Sequence, residues 1–152
     1  MGQRFTTLVS PMRESSREAQ AVTEERIDLG RRGEELAAQL LGERGWEVLA
    51  RNVRLRGGEI DLIARDGDTL AFIEVKTASV RRNPLGSGPE RAALAVTPEK
   101  QRKVRRLAAE WLTSDALPRG VAEFRFDVIG IEMDPFDSAV APRIEHFEDA
   151  FR

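Results

Sequence analysis

The sequence predicts an α/β architecture in which a mixed β-sheet is flanked by helices. Three observations carry this prediction: a helix-period apolar pattern from Leu29 to Arg44, two apolar runs folded around Asp66-Gly67, and a capped second helix at Thr97-Pro98 followed by further strand-like segments. With 152 residues the chain is long enough to bury one hydrophobic core but not two, so a single domain is expected.

Residues 1–28 are polar, mix both charges and show no sustained apolar period. They read as a flexible or loosely helical N-terminal extension, with the domain proper spanning 29–152. In the first helix Leu36, Ala37, Leu40 and Leu41 recur at helical spacing, and Gly45 supplies a stop. Trp46, Val48 and Leu49 begin an extended segment toward Arg54, broken by Gly57-Gly58. The runs Glu59 to Ala64 and Leu70 to Lys76 enclose Asp66-Gly67, a hairpin signal. Residues 77–96 contain Pro84, Gly86, Gly88 and Pro89 and read as a long mobile loop. Thr97 is the expected N-cap of the second helix and Pro98 its first residue, with Val104, Leu107, Ala108 and Trp111 facing inward. A strand through Phe124 to Ile129 and a shorter one from Arg143 to Phe147 complete the chain, which has no internal repeat and no low-complexity tract.

Composition narrows the chemistry. There is no cysteine and a single histidine, so thiolate sites and sites needing two imidazoles are excluded. A metal would be held by oxygen, which favours magnesium or manganese. No apolar run reaches the roughly 20 residues that cross a bilayer, and the N-terminus lacks the apolar core of a secretion signal, so a cytosolic protein is expected. The net charge of −2 conceals an uneven distribution: residues 29–113 carry 16 Arg or Lys against 12 Asp or Glu, whereas residues 114–152 carry 4 against 9. A local footprint for a phosphate backbone is compatible with that pattern.

A hairpin turning symmetrically about Asp66-Gly67 sets Glu59 opposite Glu74 and Asp61 opposite Phe72. Alternation then puts Asp61, Glu74 and Lys76 on one face, with Asp61 a diagonal neighbour of Glu74 at roughly 7 to 8 Å, close enough to share one cation. The other face carries Ile60, Leu62, Ala71, Ile73 and Val75, so an ionised trio there bears a desolvation cost that a metal offsets. Phosphodiester hydrolysis calls for these residue types: carboxylates for the cation, and an ammonium to orient the attacking water and stabilise the developing charge. The alternative is a strand pair showing three charged residues to solvent at a sheet edge. One compositional detail weighs against it: only three of the 24 basic residues are lysine, and one of them stands two positions after Glu74, where a compact amine suits a reacting water better than a planar guanidinium.

The segments Gly57-Gly58-Glu59-Ile60-Asp61-Leu62-Ile63 and Phe72-Ile73-Glu74-Val75-Lys76, with Arg125-Phe126-Asp127-Val128 and a closing Asp149-Ala150-Phe151, closely resemble the bacterial YraN family over residues 29 to 152. That resemblance implies the restriction-endonuclease-like PD-(D/E)XK fold, similar to archaeal Holliday junction resolvases. It assigns Asp61 and Glu74 as metal ligands and Lys76 as the catalytic lysine, and adds Glu34 on the first helix. From the helix alone, Glu34 lies at the border of the apolar stripe and is equally explained by the favourable field of a helix N-terminus. The chain departs from the family pattern at Thr77-Ala78, where an arginine is common, and in a longer loop before Val96-Thr97.

Lys100, Arg102, Lys103, Arg105 and Arg106 concentrate five cations in two helical turns, read either as a solvated face or, beside a nuclease site, as a track for DNA phosphates. Gln101 points inward, to bond near the scissile phosphate or as a satisfied buried amide. Arg125 and Asp127 share a strand face and form a structural ion pair. Glu59 is either an extra ligand or a carboxylate whose neighbour merely perturbs it, and His146 has a surface or packing role. The expected activity is a Mg²⁺- or Mn²⁺-dependent DNA endonuclease, structure-selective or weakly specific. The alternatives are a nucleic-acid-binding protein that keeps the fold with little cleavage, and a protein-interaction module using the acidic C-terminal part. Branched DNA and a symmetric homodimer are the partners that the junction-resolvase resemblance implies.

Overall fold

In the computed structural model, which describes residues 11–82, 88–114 and 117–152, five strands form one sheet in the order β1-β2-β3-β4-β5. They are β1 (Glu47–Leu55), β2 (Gly58–Asp66), β3 (Thr69–Ser79), β4 (Glu123–Met133) and β5 (Arg143–Phe147). Neighbours run antiparallel except β3 and β4, which are parallel and joined by a crossover containing a 3₁₀ turn (Val80–Arg82), α2 (Pro89–Leu94) and α3 (Pro98–Leu112). The expected mixed sheet with flanking helices is therefore the observed architecture.

Both faces of the sheet are covered. Helix α1 (Pro11–Glu43) packs Ala37, Ala38 and Leu41 on Leu62, Ile73 and Ile131. On the opposite face α3 packs Val104, Leu107, Ala108 and Trp111, the stripe expected from sequence, on Ile63, Phe72 and Phe126. A strand pair covered on two sides reads as a continuous apolar run. In β4 burial is continuous from Phe126 through Met133, and the run is apolar except for the buried, ion-paired Asp127 and Glu132.

The N-cap of α3 forms as its sequence dictates, Thr97 accepting from the Lys100 amide at 3.3 Å. Two boundaries differ from expectation. Helix α1 starts at Pro11 rather than near Leu29, so the polar segment from 11 to 28 is helical, and its described side chains are nearly all exposed. That stretch is a largely exposed helix without an apolar period, and period is the signal by which a helix is recognised. The segment from 77 to 96 is also more regular than the expected loop: β3 continues to Ser79, and the 3₁₀ turn and α2 follow. Residues 83–87, including Pro84 and Gly86, lie outside the described residues. Gly130 explains how α2 sits so close to β4, since a Cβ there would lie 2.0 Å from the Pro89 carbonyl oxygen.

The β2–β3 register differs from expectation by two residues. Asp66 pairs with Thr69 and Ile63 with Phe72, so the turn is centred on Gly67-Asp68. Gly67 has φ 60°, which suits a two-residue hairpin turn with glycine at its first central position. A shift of two preserves parity, and the side chains keep their faces.

Candidate active site

The β2–β3 ladder ends at Leu62↔Ile73, although β2 stays paired with β1 down to Leu55↔Gly58. At the point of divergence the Asp61 side chain takes over from the backbone: its Oδ2 accepts the Val75 N–H at 2.8 Å. On β1 the residue facing Asp61 is Asn52, held at φ 50°, a left-handed conformation that asparagine tolerates better than most residues. The strand pair bends there. One consequence corrects the expected alternation, because Ile60 joins the α3-side core while Leu62 joins the α1 side.

Asp61 and Glu74 are thus brought together at a fork between strands, both buried, Glu74 to 2% exposure. Lys76 Nζ lies 2.9 Å from Glu74 Oε1, and Lys100 Nζ reaches down from α3 to within 3.1 Å of Oε2. The second contact is an ion pair without hydrogen-bond alignment, which leaves Glu74 Oε2 a buried acceptor with unused capacity. Burial, and then the neighbouring Glu74, push the Asp61 carboxyl up from 3.8 to about 7; the Val75 amide and Lys100 oppose the rise.

Glu34 approaches the same point from α1. The helix comes close because residue 33 is glycine: a Cβ there would lie 1.9 Å from Thr77 Oγ1 on β3. Burial raises the Glu34 carboxyl above its ordinary range, a hydrogen bond from Asn52 pulls it back, and Glu59 and Glu74 raise it further. Among the described residues no group of three or more His, Cys, Asp or Glu side chains is arranged to hold a metal ion, and Glu34 stands near the fork as an electrostatic neighbour of Glu74. Two carboxylates still suit magnesium, which takes one or two of them and keeps several waters. The all-oxygen donors, the unused Glu74 Oε2 and the raised Asp61 fit a hard divalent cation.

The basic helix divides into two parts. Lys100, Arg102, Lys103 and Arg106 line an open groove of about 670 Å³ together with Gly57, Thr97 and one acid, Glu99. A second hollow of about 360 Å³ adds Arg54 and Glu59 beside Lys100 and Lys103. The Gly57-Gly58 pair makes room for these cations, since a Cβ on Gly58 would lie 2.3 Å from Lys103 Cε. Glu59 therefore faces the groove and not Glu74. Arg105 turns elsewhere, stacking on the Phe151 ring and donating to the Arg152 carbonyl. Gln101 is partly buried and donates to the Val96 carbonyl at 3.2 Å through one amide hydrogen.

Sequence reasoning missed Lys100 as a partner of Glu74. A signal was present in the scarcity of lysine, for the chain's three lysines, 76, 100 and 103, all gather here, beside Arg54, Arg102 and Arg106. It also understated His146, which is buried between Asp127 at 2.8 Å and Arg44 at 3.1 Å and packs edge-on against Trp46. Asp127 is fully buried and also accepts from Arg125, the expected ion pair, and from the Asp149 amide. With Ala150 bonding to the Phe126 carbonyl and Phe151 stacked on Phe126, this network ties the C-terminal Asp-Ala-Phe segment to β4.

No helix among the described residues is long and apolar enough to cross a membrane. Comparison with known proteins finds a match over residues 33–131 to the family described as "Uncharacterised protein family UPF0102". A UPF0102 protein of Rhodococcus opacus is 48% identical over 125 residues, covering 82% of this chain and 97% of that one. A relative from Geobacter sulfurreducens is 48% identical over 81% of this chain and 88% of its own length. One from Nocardia farcinica is 46% identical with the same two coverages. The matched region holds the fork, both site lysines and the basic helix, and the chain belongs to UPF0102, the YraN family.

Proposed function

We propose that the protein is a metal-dependent DNA endonuclease whose site is built from Asp61, Glu74, Lys76 and Lys100. One observation carries the reading: two buried carboxylates at a strand fork, balanced by two ammonium groups, at the edge of a groove lined with cations. A structural ion pair has no need of an open basic groove beside it. Phosphodiester cleavage needs both parts, since phosphate contacts position the backbone and a preorganised polar site stabilises the charge that develops.

Magnesium or manganese held by Asp61 and Glu74 would neutralise the phosphate and make a water easier to deprotonate. The chain's own groups supply the rest. Arg102, Lys103 and Arg106 draw the backbone along α3. Asp61 is fixed by the Val75 amide, so its second oxygen has a defined direction. Lys76 is one-third exposed and reaches the reacting atoms from the substrate side, where its ammonium holds the attacking water and the phosphate oxygen. Lys100 stands at the same carboxylate and is free to turn to phosphate once the charge of Glu74 is otherwise met. Glu34 adds negative potential that favours a cation at the fork.

The pairing of both Glu74 oxygens with ammonium groups favours a second reading, a DNA-binding protein that does not cleave, because the carboxylate is balanced without any metal. The two are separated by incubating labelled linear, nicked, flapped and four-way DNAs with magnesium or manganese. Cleavage of at least one substrate is expected. It should vanish in Asp61→Asn and Glu74→Gln and fall about 100- to 1000-fold in Lys76→Ala, the usual cost of losing one preorganised donor. Binding without cleavage by the unaltered chain selects the second reading, and undiminished cleavage by the carboxylate variants removes the site assignment.

A further inference from the structure

The neighbours Lys100 and Gln101 on α3 line two cavities of opposite character. The basic groove lies on one side of α3, and on the other Gln101 opens a cavity of about 490 Å³ walled by Ala93, Val96, Val128 and Phe147. Val128 is the β4 partner of Glu74 in the parallel ladder, so this cavity begins one strand away from the carboxylates, about 4.8 Å. Among the described residues its lining contains no lysine or arginine, and its charged members are Glu90 and Glu148, the latter paired at 3.0 Å with Arg125 from outside the lining. Such a lining offers a phosphate group no cation to pair with, while a flat neutral ring needs none. The apolar and aromatic walls suit the faces of a ring, and carboxylates accept hydrogen bonds from ring and exocyclic N–H groups. The Gln101 amide, anchored through one bond to the Val96 carbonyl, retains donor and acceptor capacity for a base edge.

From this arrangement we infer that the cavity receives one unstacked nucleobase of the strand whose backbone follows Arg106, Lys103 and Lys100 to the fork. The protein thereby selects DNA with an unpaired nucleotide beside the bond to be cut. This rests on the nuclease reading above and gives it a substrate class. Extruding a paired base costs its pairing and stacking, a cost that an unpaired base does not incur, so selectivity follows from the cavity without any sequence readout.

The test measures binding of the intact chain by fluorescence anisotropy, at one salt concentration and without divalent cations. Three labelled duplexes are used: fully paired, carrying one unpaired adenine, and carrying an abasic nucleotide in the same position. The abasic form keeps the flexibility of the bulge and lacks only the ring. The adenine bulge should bind about tenfold tighter than the other two, the scale of one base stacked on protein. Ala93→Trp fills the cavity from a partly exposed position without changing charge and should erase the preference. Ala150→Trp, at a second lining position, repeats the test should the first variant fail to fold. Equal affinity for the adenine and abasic bulges overturns the cavity assignment and leaves the groove standing. Absence of binding to all three duplexes overturns both.

Discussion

Replacing Asp61 with asparagine should make the metal-free protein more stable at neutral and alkaline pH. In the folded chain, burial and then the repulsion of Glu74 raise the Asp61 carboxyl from 3.8 to about 7. Between those two values the folded state keeps a proton that the unfolded state has lost. Stability associated with this group is therefore fully present below about pH 4, declines as pH rises, and is gone above about pH 7. At about 1.4 kcal/mol for each tenfold change in proton affinity, the rise amounts to something on the order of 4 kcal/mol. Asparagine is neutral throughout and retains an oxygen for the Val75 N–H, now 2.8 Å from Oδ2, so the variant escapes the penalty without losing the bond. Urea titrations from pH 5 to 9 without divalent ions should show the variant's advantage growing up to about pH 7 and constant above it. Added manganese should close most of that gap, because a ligand at 100 times its dissociation constant adds about 2.7 kcal/mol to the state that binds it. Parallel pH profiles for the two proteins, or a variant that is the less stable one at pH 8 without metal, would refute the account of a strained carboxylate pair.

Two further expectations concern the groove and the helix that carries Glu34. Replacing Arg102, Lys103 and Arg106 with glutamine should weaken binding to every DNA alike and flatten the dependence of log K on log salt by about 0.9 for each phosphate no longer neutralised; an unaltered slope in anisotropy titrations means these residues face only water. Gly33→Ala sets a methyl 1.9 Å from Thr77 Oγ1 and should cost about 1 to 3 kcal/mol through overpacking, with Thr77→Ala restoring most of it in the double variant. Denaturation of all four proteins in the cycle measures this, and additive losses would show that the two side chains do not compete for space.

The sequence alone determined what depends on near neighbours. The cap at Thr97, the buried stripe of α3, the apolar strands and the two-residue step from Glu74 to Lys76 follow from periods of 3.6 and 2, which are properties of short segments. The assignment of Asp61, Glu74 and Lys76 to one region survived a misplaced turn because the error was an even number of residues. Tertiary structure decided the rest. Whether Asp61 faces its partner across a ladder or caps the end of one depends on the bend shared with Asn52, on a neighbouring strand. Lys100 looked like one cation in a charge run, and only the docking of α3 on the sheet carries its ammonium to Glu74. His146 and Asp127 are each inconspicuous in sequence and become a buried pair because β4 and β5 lie side by side. Local periodicity says which face of an element is buried; it carries no information on which elements meet, or at what height, and those two choices put the second lysine at the carboxylate and an apolar cavity beside it.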